Sequence, residues 1–315
     1  MAAQCLISFG SNLGDRDRLI ADAARKIVEC DAIEFVTPLK TSRLFETPPV
    51  GGPSGQEPFL NAVGAFETNS SAREILAVLQ STEQELGRRR RLRWDSRSID
   101  LDVVMHGALV GGASELIVPH PRYTARQFVL QPACDVAPHY RDPRFGWTLQ
   151  RLAKHLTQGV PSMALVGDIG TRNQIAKSLS ADYGIKTFLA NTESANMSAV
   201  ANVPGVVSDL QATAVPGDPI DVVDEPWVAA YLPELPELDS DQTSLPTVPR
   251  LVARTQRANE DTRWPAPHQI WPSGWRWPEY RLEIDDLSWA VSEIASALES
   301  MRCPAVPVTS DGNWW

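Results

Sequence analysis

Ile99-Asp100-Leu101-Asp102-Val103-Val104 is the stretch on which the fold and the chemistry of this chain turn. Side chains alternate between the two faces of a strand, so Asp100 and Asp102 share one face. Ile99, Leu101 and Val103 then share the other and point into a core. Two carboxylates side by side repel each other unless positive charge sits between them. Hard divalent cations take oxygen ligands, and magnesium usually takes one or two carboxylates plus phosphate oxygens. Immediately upstream runs Gly87-Arg88-Arg89-Arg90-Arg91-Leu92-Arg93-Trp94-Asp95-Ser96-Arg97, which places Arg97 three residues before Asp100. Arginine forks match phosphate oxygens bidentately. Carboxylates for a metal beside arginines for phosphate are what phosphoryl transfer requires. Taken alone, an Asp-x-Asp is also the wet face of a half-buried sheet, and an arginine run is also a solvated loop or a nucleic-acid patch. The conjunction, which extends to His120 and Arg126, favours a site.

Outward from this strand, the pattern alternates strands and helices. Gln4 to Phe9 is an apolar run closed by Gly10-Ser11-Asn12, hence a strand and a turn. Asp15 or Asn12 caps the next helix, along which Leu19, Ile20, Ala23, Ala24 and Ile27 recur at helical spacing. Gly10-Ser11-Asn12-Leu13-Gly14 has the glycines of a phosphate loop but not its lysine. Ile33 to Thr47 reads as one long strand, or two pieces broken near Pro38. Pro48 to Gly55 is a proline- and glycine-rich loop, either an inert connection or a lid. Leu60 to Glu67 is a strand. Ser71 to Leu86 is a helix, with Ser71 and Glu74 forming a capping box and Gly87 ending it. Ile99 to Met105 completes the order β-α-β-β-α-β. That order predicts an α+β, ferredoxin-like domain with an antiparallel sheet and helices on one face. Trp147 to Leu156 is expected to cover its edge.

The length of 315 residues suggests two domains, divided here as 1–158 and 159–315. A formal net charge of −10 argues against general nucleic-acid binding and makes the arginine cluster a local feature suited to a small anion. Cys5, Cys30, Cys134 and Cys303 lack CxxC spacing and fit a reducing cytoplasm rather than a zinc site or a disulfide framework. The N-terminus has no signal-peptide pattern, and no apolar run approaches membrane-spanning length.

In the second half, Met163-Ala164-Leu165-Val166 is followed by Gly167-Asp168-Ile169-Gly170-Thr171-Arg172-Asn173-Gln174 and a helical stretch to Tyr183. Strand, glycine turn and helix is the layout of a P-loop. The lysine position holds Asn173, the hydroxyl position Gln174 and the third glycine position Arg172. The stretch resembles a P-loop kinase, such as a deoxynucleoside kinase, without its chemistry, and fits an ordinary strand-turn-helix equally well. From Ala214 to Pro278 prolines and acidic residues crowd. Trp271, Trp275 and Trp277 there predict a long ordered loop packed on a domain, or a partner surface, because a disordered acidic linker rarely carries so many tryptophans. Leu287 to Met301 is an amphipathic helix capped by Asp285 or Asp286.

Several stretches of the first half, about Gln4 to Leu156, stand in the order of a known family: Gly10 to Gly14, Thr47-Pro48-Pro49-Val50, Phe59-Leu60-Asn61-Ala62, Glu83-x-x-x-Gly87-Arg88, Arg97-x-x-Asp100-x-Asp102, and Val118-Pro119-His120-Pro121-Arg122. The set resembles 6-hydroxymethyl-7,8-dihydropterin pyrophosphokinase of folate biosynthesis. The resemblance implies transfer of pyrophosphate from ATP to the 6-hydroxymethyl group of the dihydropterin, with release of AMP. It implies magnesium, as two ions, held by Asp100 and Asp102, and transition-state stabilisation by Arg88 and Arg97. Gln80, Glu83, Arg90, Trp94, His120 and Arg126 match the family's nucleotide contacts. Thr47, Pro48, Val50, Phe59, Asn61 and Phe128 match its pterin contacts. Asp95 and Ser96 depart from the family's usual glycine and proline. Two other readings stay open: a catalytically impaired relative that binds nucleotide or pterin, and an RNA-binding ferredoxin-like domain, which the net charge opposes. The aldolase and pteroate-synthase fusion partners of this enzyme are not recognisable in the second half.

Overall fold

Strand β1 (Ala3–Ser11) is the strand around which the first half is built. It is followed by α1 (Arg16–Glu29), the short strands β2 (Lys40–Thr41) and β3 (Phe45–Thr47), and β4 (Phe59–Thr68). Helix α2 (Ala72–Glu85) then leads to β5 (Asp100–His106). A hairpin of β6 (Gly111–Ala113) and β7 (Leu116–Val118) precedes α3 (Gln127–Val136) and α4 (Leu149–Thr157). The computed structural model describes residues 2–53, 55–88, 97–113, 115–191, 217–221, 224–238, 240–256 and 275–315. Arg90, Trp94, Asp95, Ser96 and Trp271 lie outside the described residues.

The chain divides into two units. Unit 1 contains Met1–Pro143, Thr148–Ala153 and Cys303–Trp315; unit 2 contains Arg144–Trp147 and Lys154–Arg302. A single cut near residue 158 therefore differs from what the chain does, because Cys303–Trp315 is held by unit 1. Its strand β13 (Val306–Pro307) pairs antiparallel with β3.

The principal sheet of unit 1 runs β13-β3-β4-β1-β5, with β2 also paired to β4. Its pairings are antiparallel, including β4 and β5 on either side of β1. The order β-α-β-β-α-β read from the sequence is present, with β2 and β3 as two pieces of the second strand. The break falls at Ser42. Its Oγ accepts the Val63 N–H at 2.9 Å, where a backbone carbonyl would normally accept in a ladder. Helix α1 begins under the side chain of Asp15, which accepts the Arg18 N–H. Helix α2 carries the expected capping box between Ser71 and Glu74. The apolar stripes of both helices and the core-facing side of β1, β4 and β5 form one cluster, including Phe9, Ile27, Leu79, Leu101 and Val103.

In unit 2, β8 (Ser162–Val166), α5 (Ile169–Tyr183), β9 (Lys186–Phe188), β10 (Trp227–Ala229), β11 (Leu251–Gln256), β12 (Glu279–Glu283) and α6 (Leu287–Met301) follow one another. The sheet order is β12-β11-β8-β10-β9, and its pairings are parallel. All of β8 is buried, as a central strand of a parallel sheet requires. Helix α6 spans the predicted residues and is capped by Asp286. Trp277 is buried and donates its indole N–H to Pro249 O at 3.0 Å, which gives this tryptophan a packing role.

The strand-turn-helix at Gly167 is present, and the residues at the P-loop signature positions serve the fold. Helix α5 starts at Ile169, so Gly170, Thr171, Arg172, Asn173 and Gln174 are helical rather than wrapped as a loop. The Asp168 carboxylate caps the helix, accepting the Thr171 N–H at 2.8 Å and its hydroxyl at 2.7 Å. Such a cap puts a negative charge where a phosphate would otherwise bind. Asn173 clamps Ala190, donating to its carbonyl at 3.1 Å and accepting its N–H at 2.9 Å.

Candidate active site

Gly10 on β1 pairs with Asn61 of β4 on one side and with Asp100 of β5 on the other. Residues directly paired across strands project to the same face. Asn61, Gly10 and Asp100 thus form a row across three strands. A Cβ at Gly10 would lie 3.3 Å from Asn61 Oδ1 and 3.9 Å from Asp100 Cβ, so glycine keeps the middle of the row open. Asp102 pairs with Ser8, two positions further along the same face. Leu101 between the two aspartates is buried in the cluster on the opposite face.

The arginines converge on Asp100. Arg88 Nη2 lies 2.7 Å from Asp100 Oδ1, and Arg97 Nη1 pairs with Oδ2. Arg88 also pairs with Glu83 through Nη1. Glu83 is buried near the end of α2 and accepts the Leu101 N–H at 2.8 Å. It therefore ties the helix to the strand segment between the aspartates, a role that a count of ligand contacts does not supply. Burial pushes the Glu83 carboxyl up from 4.5 to about 7, against the opposing pull of Arg88 and the Leu101 N–H; Asp100 and Asp102 add to the rise. Burial disfavours the charge on Arg88, but Asp100 and Glu83 outweigh it and hold the guanidinium firmly protonated.

Asp102 is differently placed. Its side chain is 37% exposed, and His120 Nε2 stands 4.0 Å from Oδ2. His120 is fixed by its own N–H to Val104 O at 2.8 Å and accepts the Arg122 N–H on Nδ1 at 3.2 Å. Among the described residues no cluster of three or more His, Cys, Asp and Glu side chains forms a metal cage. Two carboxylates on one strand face, with Asp102 the more exposed of the two, are a donor set that fits a hard divalent cation completing its shell with phosphate oxygens and water.

On the other side of Gly10, Asn61 Nδ2 donates to Thr47 Oγ1 at 2.8 Å, and both side chains are buried. This joins two of the expected pterin contacts. Phe59 is half-buried on β4, two residues before Asn61, and Val50 is half-buried in the loop where Pro48 is exposed. Arg126 lies with Cζ 5.5 Å from the centre of the Phe128 ring, so an expected nucleotide contact and an expected pterin contact touch each other. Gln80 is half-buried on α2, one turn before Glu83.

Asn12, read from the sequence only as a possible helix cap and part of the Gly10–Gly14 turn, leaves the cap to Asp15 and takes a role at the site. It is buried, accepts the Arg97 N–H on Oδ1 at 2.7 Å, and donates its own N–H to Arg97 O at 3.0 Å. Its amide nitrogen also donates to Gln56 Oε1 and Glu57 O, each at 3.3 Å. Asn12 thus links the segment leading into β5 to the loop after Pro48. Its side-chain amide beside Gly10 was the available signal, since one amide can accept and donate at once.

Two carboxylates on one strand face beside two arginines are the side-chain set of the phosphoryl-transfer class. The family model of 7,8-dihydro-6-hydroxymethylpterin-pyrophosphokinase matches residues 6–138. The 2-amino-4-hydroxy-6-hydroxymethyldihydropteridine pyrophosphokinase of Bacillus subtilis is 38% identical over 130 residues, which are 41% of this chain and 75% of that protein. The protein of the same name from Pseudomonas aeruginosa is 36% identical over 146 residues, 45% of this chain and 86% of that protein. The folic acid synthesis protein fol1 of Pneumocystis carinii is 40% identical over 131 residues, 42% of this chain but only 17% of that longer protein. The chain belongs to the 7,8-dihydro-6-hydroxymethylpterin-pyrophosphokinase family.

Proposed function

We propose that unit 1 transfers pyrophosphate from ATP to 6-hydroxymethyl-7,8-dihydropterin in folate biosynthesis, releasing AMP. The observation that carries this is the row Asn61, Gly10, Asp100 across three strands, which sets an amide suited to a pterin edge beside a carboxylate suited to a metal. The hydroxymethyl oxygen attacks the β-phosphorus. The bond from that phosphorus to the α,β-bridging oxygen breaks, and its electron pair leaves on AMP.

Magnesium, taken as two ions, would supply charge neutralisation on the phosphates and would be held by Asp100 and Asp102. Asp100 is already engaged by two guanidiniums, so the less engaged Asp102 is the carboxylate suited to receive the hydroxyl proton. Arg88 and Arg97 are pre-oriented by Glu83, Asp100 and Asn12, and preorganised charge is what stabilises a transferring phosphoryl group. His120, Arg126, Gln80 and Glu83 serve the nucleotide side, as contacts or by positioning. Thr47, Pro48, Val50, Phe59, Asn61 and Phe128 serve the pterin side, where a flat ring wants aromatic faces and polar edges. The antiparallel order β3-β4-β1-β5 supports a ferredoxin-like description of unit 1. No described helix is long and apolar enough to cross a membrane, and the four free cysteines suit a reducing cytoplasm.

The test is AMP release from ATP with magnesium, with and without the dihydropterin, for wild type and Asp102→Ala. Pterin-dependent AMP that falls about a thousandfold or more in the variant, on the order of 4 kcal/mol of transition-state stabilisation, supports the reading. A folded wild type that binds ATP yet makes no AMP sinks the enzyme reading and leaves the impaired relative.

A further inference from the structure

Residues 303–315 lie beyond the matched residues 6–138, yet they are part of unit 1. They run antiparallel along the segment that ends in Thr47. Val306 and Pro307 pair with Glu46 and Phe45. Val308 N–H donates to Leu44 O at 2.8 Å, and Leu44 N–H donates to Thr309 Oγ1 at 2.9 Å. Trp314 donates its indole N–H to Ser42 O at 2.6 Å. That contact falls at the break between β2 and β3. There the Ser42 carbonyl accepts from the tail, and the Ser42 hydroxyl oxygen accepts the Val63 N–H. The Trp314 ring packs against the main core cluster, edge-on to Phe9 at 6.1 Å between centroids. At Gly312 a Cβ would fall 1.9 Å from Thr41 O, so the tail approaches the backbone more closely than any side chain allows.

Strand β3 is only three residues long. A strand so short, paired on one side alone, is a weak holder of anything at its end. β4 holds it on one side and the tail on the other, by the strand-addition geometry that gives affinity through backbone hydrogen bonds. Thr47, at the end of β3, receives the Asn61 amide.

We propose that residues 303–315 are a positioning segment for the pterin half of the active site, fixing β3 and with it the Thr47–Asn61 pair and the loop that follows. The inference rests on the function proposed above for the identity of the substrate. Loss of the tail frees β3 while leaving Asp100, Asp102, Arg88 and Arg97 in place, so its effect falls on one substrate.

The experiment compares the full chain with a chain ending at Arg302, with Trp314→Ala and with Thr309→Val, the mildest change. KM for each substrate and kcat are measured separately, and a synthetic peptide of residues 303–315 is added to the truncated chain. The expected result is a pterin KM raised about tenfold or more, about 1.4 kcal/mol, with an ATP KM changed less than about twofold, and recovery on adding the peptide. Unchanged constants, or equal loss on both substrates without recovery, overturn the proposal. If truncation prevents folding, the KM split in Trp314→Ala and Thr309→Val decides in the same way. A wild type that makes no AMP fails the catalytic reading alone. The tail is then judged by binding of fluorescent 6-hydroxymethylpterin to wild type and variants, and equal or absent binding in all of them overturns it.

Discussion

Glu83→Gln separates charge from shape at the centre of the site. The amide keeps an oxygen for the Leu101 N–H, which Glu83 now receives at 2.8 Å, but removes the titrating proton. In the folded chain burial lifts the carboxyl from 4.5 to about 7. A group that holds its proton more tightly when folded stabilises the fold at low pH. That stability begins to fall near the unfolded value and is lost as pH rises through the folded one. The rise to about 7 corresponds to about 3 kcal/mol in full, of which roughly 2–3 kcal/mol falls between pH 5 and pH 8. Amide hydrogen exchange in β1 and β5, corrected for the intrinsic pH dependence of exchange, reads the stability at the strands that Glu83 buttresses. Between pH 5 and 8 wild type should lose roughly 2–3 kcal/mol more than Glu83→Gln, because other titrating groups are common to both. Equal losses in the two proteins would show that Glu83 does not titrate as a buried carboxyl, and would refute the linkage.

Other consequences follow from particular contacts. Asn61→Ala deletes the donor to Thr47 and should raise the pterin KM about 10- to 100-fold, with little change for ATP, in steady-state kinetics. An equal rise for both substrates would count against Asn61 on the pterin side. Leu101→Ala empties a buried position between the two aspartates and should cost unit 1 about 2–5 kcal/mol in denaturant unfolding. A loss under about 1 kcal/mol would mean that the site collapses to fill the space. Burial drives the Cys5 thiol far above its ordinary value, while Cys30 is half-exposed. At pH 8 iodoacetamide should label Cys30 and spare Cys5 in the native chain, as read by peptide mass spectrometry. Labelling of Cys5 as fast as Cys30 would contradict the burial.

Much of unit 1 was legible in the chain because its signals are local. The alternation at Ile99–Val103 sorts carboxylates from core, and Ser71 with Glu74 announces the start of α2. The amphipathic spacing of Leu287 to Met301 announces α6 in the same way. The order of strands and helices follows from such local patterns, since each is set by a period of two or 3.6 residues. What lay outside those periods needed the tertiary structure. Gly10 becomes the middle of a row only when β4 and β5 flank β1, and Asn12 acts on Arg97 across 85 positions of chain. Glu83 reads in sequence as an expected nucleotide contact; burial against Leu101 and Arg88 makes it also a buried strut with a raised proton affinity. The Asp168 cap and the Asn173 clamp likewise show that residues at P-loop positions serve the backbone of unit 2. The return of Trp314 to Ser42 spans 272 residues, and no local pattern announces it. Periodicity is a property of neighbours along the chain, so the sequence by itself determined the strongly periodic elements, such as α1, α2, β5 and α6, and their buried faces. Which carboxylate is clamped, which is open and what holds the edge strand depend on pairings between distant segments, and those only the fold decided.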